Sequence, residues 1–164
     1  PDGVTVPLDP GQPLLTLGRL VQEDLCLMEQ AGTEYRLTGG VLCFPASWTL
    51  AQKLGRPLTG IHDPVAVYDA DVAKRVARLF DAIRPEQPLW RMNYLTYDDF
   101  VLHQPRREGE KRPRPTDHVF IRCERQCLLR LPVTKAVVFT IHTYVVEAGT
   151  VTPGELAALR EAVH

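Results

Sequence analysis

Between His118 and Leu131 the sequence sets three polar side chains, Arg122, Glu124 and Gln126, at alternate positions in the middle of a strand-like run. Residues two apart in a strand share a face, so Phe120, Arg122, Glu124, Gln126 and Leu128 point one way. Ile121, Cys123, Arg125, Cys127 and Leu129 point the other. If the first face is buried, its charges must be paired with each other or with a ligand, because an isolated buried charge is costly. The alternative is a solvent-facing sheet surface laced with ion pairs. The next run, Lys135–Glu147, puts Thr140, His142 and Tyr144 on one face; beside the charged triplet they would line a cavity or form the wet side of an antiparallel sheet. His62, in Gly60-Ile61-His62-Asp63-Pro64-Val65, is a lone loop histidine. A hydrogen-bonding or surface role is the ordinary one for such a residue, and its neutral imidazole is also a capable iron ligand.

Other chemistries lack their residues. There is no phosphate-cradling glycine loop, no Gly-x-Ser-x-Gly elbow and no His-Glu-x-x-His zinc motif. The four cysteines, Cys26, Cys43, Cys123 and Cys127, contain no Cys-x-x-Cys and no Cys-x-x-Cys-His, which argues against zinc and against covalently attached haem. They read as small buried hydrophobes in a chain whose natural compartment is the cytoplasm. At 164 residues and a formal net charge of −1, the chain has the length of one domain and no electrostatic case for nucleic acid. No apolar run approaches the ~20 residues of a membrane helix, so a soluble protein is expected. Pro1–Leu20 lacks the basic start and apolar core of a signal peptide, and a start at Pro1 without methionine fits a processed or trimmed piece of a longer protein.

The elements that must position these residues are short, divided by fourteen prolines. Pro1–Pro13 reads as a loose arm and Leu20–Gln30 as a short acidic helix. Tyr35–Leu37 and Val41–Phe44 read as two strands joined by Thr38-Gly39-Gly40. Ala46–Leu54 is a brief helix stopped by Gly55. Asp69–Ile83 is the clearest helix, with Val72, Val76, Leu79, Phe80 and Ile83 forming one apolar stripe. Leu89–Thr96 and Phe100–His103 are strand-like, and the charged, proline-bearing segment Arg106–Pro115 is expected to be a mobile solvated loop, or else a patch that docks a partner. The two long strands follow, separated by Pro132-Val133-Thr134. Thr152, Pro153 and Glu155 then supply a capping box and a first-turn proline for a last helix. The sum is an α+β chain, 1–164 as a single domain, with a mostly antiparallel sheet and helices packed to one side.

Seven segments, in order along the chain, resemble one family. They are Gln22-Glu23-Asp24-Leu25-Cys26-Leu27-Met28, Cys43-Phe44-Pro45-Ala46-Ser47-Trp48, Lys53-Leu54-Gly55-Arg56-Pro57-Leu58, Ile61-His62-Asp63-Pro64-Val65, Arg91-Met92-Asn93-Tyr94, Arg122-Cys123-Glu124-Arg125-Gln126 with Arg130-Leu131-Pro132, and Phe139-Thr140-Ile141-His142-Thr143-Tyr144. The family resembled is the haem-dependent oxidative N-demethylase alpha subunit. The resemblance implies a PAS-like fold holding haem b and its iron. It also implies a monooxygenase-type activity that removes one methyl group from a small secondary amine such as dimethylamine, as formaldehyde, using O2. Electrons would come from separate reductase subunits carrying flavin and an iron–sulfur cluster, since this chain has no cysteine set or dinucleotide fingerprint for either.

Carried over by position, the resemblance makes His62 the axial iron ligand and Glu124 the carboxylate facing a protonated amine. Arg122 would position Glu124. Arg125 would stabilise oxygen at the iron or a propionate, and Tyr144 would add a hydroxyl donor. Lys53 and Arg56 would meet the propionates, while Trp48 reads as core. The chain departs from the family at Ala66, usually proline, at Tyr94, usually tryptophan, and at His142, often arginine. A non-catalytic haem- or small-molecule-binding or sensing module on the same fold is the alternative reading. A haem-free domain, in which Arg122 and Glu124 simply hold the sheet together, is the third.

Overall fold

The computed structural model describes residues 3–62 and 70–162. Five strands form one open antiparallel sheet in the order β2-β1-β5-β4-β3. They are β1 (Asp24–Ala31), β2 (Glu34–Val41), β3 (Leu89–Tyr97), β4 (Phe120–Arg130) and β5 (Val137–Glu147). The helices are α1 (Pro13–Leu20), α2 (Leu50–Lys53), α3 (Leu58–His62), α4 (Ala70–Ala82) and α5 (Pro153–Ala162). This is the α+β, PAS-like arrangement expected. No helix among the described residues is long and apolar enough to cross a membrane.

One face of the sheet, here the inner face, carries the core: Cys26 and Met28 of β1, Tyr35 and Leu37 of β2, and Val137 of β5, packed with Phe80 and Ile83 at the end of α4. Trp48 packs against the same cluster, in keeping with its reading as core. Of the apolar stripe on α4 only Phe80 is fully buried within the helix, and Leu79 is exposed. Val76 also packs against the core, and polar bonds add to this apolar contact. Arg130 of β4 donates from Nε to the Ile83 carbonyl at 2.8 Å and from Nη2 to the Phe80 carbonyl and to the Tyr35 hydroxyl, and that hydroxyl donates to Asp81. A guanidinium on the last carbonyls of a helix satisfies groups that have no partner within it and suits the negative end of its dipole. α1 lies against the opposite face, where the Leu14 side chain crosses Gly39 and Val41 abuts Gly18.

Several sequence expectations change in the fold. Leu20–Gln30 is not a helix: α1 ends at Leu20 and residues 24–31 are a central strand. Asp24, Cys26 and Met28 face the core and Leu25 meets the other face, so both sides are apolar and the period-two signal is masked. Tyr35–Leu37 and Val41 belong to one strand, and Thr38-Gly39-Gly40 is not a turn. The hairpin turn lies at Gly32 (φ 65°). Leu27 faces Gly39 and Met28 faces Leu37, so Thr38 is the extra residue of a bulge. The glycines are required by close approach: a Cβ on Gly40 would stand 2.9 Å from the Leu25 carbonyl oxygen and 3.2 Å from Leu50 Cδ1. Phe100–His103 is irregular rather than a strand, turned by Asp99, whose carboxylate accepts from Val101 N and Gln104 Nε2. The helix expected over Ala46–Leu54 is confined to α2, and Gly55 (φ 80°) follows it in the left-handed conformation that suits glycine. The capping box forms as the sequence implies: Glu155 N donates to Thr152 Oγ1 at 3.3 Å and Thr152 N to Glu155 Oε2 at 2.9 Å.

Gly40→Ala is therefore expected to destabilise the fold by about 1–3 kcal/mol, since a backbone carbonyl cannot yield to the new methyl group. Gly149→Ala, which meets nothing within 4 Å, should change little. Urea unfolding of both variants checks this; equal midpoints would contradict it.

Candidate functional site

The long hairpin of β4 and β5 sets the geometry. It pairs from Phe120 with Glu147 to Arg130 with Val137, so that Glu124 lies opposite Thr143 and Arg125 opposite His142. On the other side Glu124 lies opposite Asn93 of β3, and Gln126 opposite Arg91. The inner face thus carries Arg122, Glu124, Gln126, Thr143, Arg91 and Asn93 together. The expected joining of Thr140, His142 and Tyr144 to this set is overturned by the register, which places them on the outer face. Arg125 is there too: its Nη2 donates to Glu23 Oε1 at 3.1 Å, His142 Nδ1 lies 3.7 Å from the same oxygen, and the His142 and Tyr144 rings meet at a tilt with centroids 4.5 Å apart. A sheet separates Arg125 and Tyr144 from Glu124, so they do not line one cavity with it.

Arg122 is almost wholly buried, at 2% exposure. Nη2 donates to the Phe44 carbonyl at 2.6 Å and to Thr143 Oγ1 at 3.2 Å, Nη1 to the Leu102 carbonyl at 2.8 Å, and Nε to Glu124 Oε1 at 3.3 Å. Asp24 grips the same stretch of chain from the other side, with Oδ1 accepting from Cys43 N at 2.6 Å and Phe44 N at 2.8 Å. Burial nevertheless pushes the Asp24 carboxyl above its usual range, against the backbone donors and the Arg122 charge. The other oxygen, Oδ2, is buried without a hydrogen-bond partner. Glu124 is held at both oxygens, by Arg122 and by Gln126 Nε2 at 3.5 Å.

His62 ends α3, and its Nδ1 lies 2.8 Å from the Leu58 carbonyl. A carbonyl only accepts, so Nδ1 carries the proton and, in the neutral ring, Nε2 carries the lone pair. Burial is the main cause that lowers the His62 pKa, with the positive charges of Lys53 and Arg91 adding to it, and this favours the neutral ring. Arg91 Nε donates to Gln126 Oε1 at 2.9 Å, and Gln126 reaches Glu124. Leu89 and Leu95, on the inner face of β3, stay 39% and 48% exposed, which leaves apolar surface beside this polar line. Asp63, Pro64, Val65 and Ala66 lie outside the described residues.

Lys53 and Arg56 meet, both bound to Glu108. Lys53 Nζ is 2.5 Å from Glu108 Oε1, and Arg56 Nη1 is 3.1 and 3.2 Å from its two oxygens. The hydrogen bond from Lys53 is the largest cause that holds the Glu108 carboxyl below its usual range. The segment Arg106–Pro115 is accordingly not a free solvated excursion. Arg106 reaches Ser47 Oγ at 3.0 Å, and the Arg112 guanidinium sits 3.7 Å over the Tyr97 ring.

Sequence reasoning does not single out Arg91, Asp24 or Glu108 as site residues. A lone aspartate in the apolar run Asp24–Met28 is the signal that was available for one of them; nothing local marks the other two. The four cysteines are free thiols, and burial pushes that of Cys26 up to about 12.

Among the described residues no three His, Cys, Asp or Glu side chains gather as a bare metal ion would need. A porphyrin needs one imidazole in the right tautomer, cations that accept carboxylates and an apolar wall. Of these, His62 offers the imidazole and Leu89 with Leu95 offer exposed apolar surface, whereas Lys53 and Arg56 are bound to Glu108, which a propionate would have to displace.

Replacing Arg122 with methionine should cost roughly 3–5 kcal/mol, because Glu124 and two backbone carbonyls lose a buried partner. The Asp24 pKa in the fold is raised above 3.8, so its stabilising contribution is complete below that value and is lost as pH rises through the raised one. Asp24→Asn removes this dependence. The melting temperature of the wild type should gain on that of the variant as pH falls towards 3.8, and parallel curves would show that Asp24 titrates alike in both states. A comparison with known families matches residues 2–162 to one described as haem-dependent oxidative N-demethylase, alpha subunit-like.

Proposed function

Starting from a chain that belongs to the haem-dependent oxidative N-demethylase alpha-subunit-like family, we propose that it binds haem b through His62 and acts in oxidative demethylation of a small secondary amine held at Glu124. What supports this reading is an inner-face carboxylate held by Arg122 and Gln126, together with an imidazole whose Nδ1 is held by the Leu58 carbonyl. Haem, when bound, supplies the redox chemistry with O2 and electrons from a separate flavin and iron–sulfur reductase. Overall, a secondary amine, O2, two electrons and two protons give the shorter amine, formaldehyde and water.

The protein's own part is recognition and orientation. Glu124 accepts N–H from the ammonium substrate in a charge-assisted bond. Arg122 and Gln126 keep that carboxylate from turning away. His62 presents Nε2 because Leu58 holds Nδ1–H. Arg56, 41% exposed at its side chain, is the accessible cation for a propionate, with Lys53 behind it. The outer-face position of Arg125 and Tyr144 leaves them no part in amine binding.

A second reading has a specific observation in its favour. Arg122 spends its donors on Phe44, Leu102, Thr143 and Glu124, as a purely structural pair would. Purified protein is expected to carry a Soret band that His62→Ala shifts or abolishes. Reductant-dependent formaldehyde release from dimethylamine should follow, and Glu124→Gln should weaken amine binding about ten- to hundred-fold. Haem-free protein that takes up no haem on reconstitution would favour the structural reading.

A further inference from the structure

Lys53 does something no surface lysine does. Its side chain is only 8% exposed, and Nζ donates to the Ile61 carbonyl at 2.6 Å as well as to Glu108. Ile61 immediately precedes His62. α3 is five residues long, too short to hold itself together, and the last carbonyls of any helix have no partner within it. Here one of them is met by an ammonium reaching in from α2. Bonds from His62 Nδ1 to Leu58 and from Lys53 to Ile61 therefore hold the end of α3.

Glu108 is itself anchored. Its backbone N donates to Gln52 Oε1 at 3.1 Å, that oxygen also accepts from Thr49 Oγ1, and Arg56 spans both carboxylate oxygens. The loop between β3 and β4 thus reaches the His62 turn through a buried ammonium. We propose that Lys53 and Glu108 form a positioning clamp for His62, by which this loop fixes the last turn of α3 and the angle at which the imidazole is presented. The clamp rests on the reading of His62 as ligand for its purpose, though not for its existence.

The test uses the full chain with Lys53→Met, Lys53→Arg and Glu108→Gln, each checked for intact fold by circular dichroism. In the protein as purified, amide hydrogen exchange over residues 58–62 should quicken about ten-fold or more in Lys53→Met and Glu108→Gln. Lys53→Arg should restore most of the protection. Trypsin should cut at Arg107 and Lys111 faster in Glu108→Gln. In haem-loaded protein the iron–histidine stretching band should shift or broaden in the same two variants. Unchanged exchange and an unchanged band in folded variants would overturn the clamp. So would tighter haem binding by Glu108→Gln with exchange unaltered, which would make Glu108 a mere competitor for propionate. If His62→Ala leaves the haem spectrum untouched, the ligand assignment fails, while exchange still reports on the clamp. If Lys53→Met does not fold, Glu108→Gln alone decides.

Discussion

A guanidinium with almost no access to water has to find a partner for each donor, and the partners Arg122 finds come from four separate stretches of chain. Phe44 belongs to the segment after β2, Leu102 to the loop after β3, Thr143 to β5 and Glu124 to its own strand. Its charge is shared between Glu124 and the nearby Asp24, whose own bonds run to the Cys43 and Phe44 amides. The Phe44 peptide is consequently held at both its N–H and its C=O by opposite charges. Remove the cation and two irregular segments lose their tether to the sheet in the same event. A buried ion pair of this kind is weak as a source of stability and strong as a device for choosing one arrangement over others. Here what it chooses is the orientation of Glu124.

The candidate residues thus fall into two separate holdings. On the sheet, Arg122 and Gln126 fix a carboxylate; on the helical side, short elements fix an imidazole. The second holding cannot rely on helix stability, since α2 and α3 are four and five residues long. Side chains replace the missing helical bonds, through Lys53, Arg56 and Glu108. α4 combines the two, with Phe80 and Ile83 in the core and Arg130 and Tyr35 bonded to its last turn. A helical layer attached partly by polar bonds leaves apolar surface on the inner face uncovered, as Leu89 and Leu95 are.

Much of this was legible in the residues. Alternation along Phe120–Arg130 revealed which side chains share a face with Glu124, and the capping box at Thr152 and Glu155 announced α5. The failures have physical causes. A central strand with both faces buried, as at Asp24–Ala31, shows no clean period. Paired glycines read as a turn when they serve close packing against Leu25 and Leu50. Which strand neighbours which, and hence that Tyr144 and Glu124 lie on opposite faces, depends on pairing that no local pattern encodes. The same holds for Glu108, a carboxylate in a basic loop whose partners are more than fifty residues away.

β3 closes the sheet at one border, and its outward residues include Trp90, 69% exposed, and Met92. A rim with such greasy side chains is an invitation for a foreign strand to zip on, the first step towards amyloid-like stacking. Arg91 sits between them, on the opposite side of the strand. An incoming strand would have to lay its own side chains beside that exposed cation on the inner face, so a charge on the border strand discourages the molecule from adhering to its neighbours.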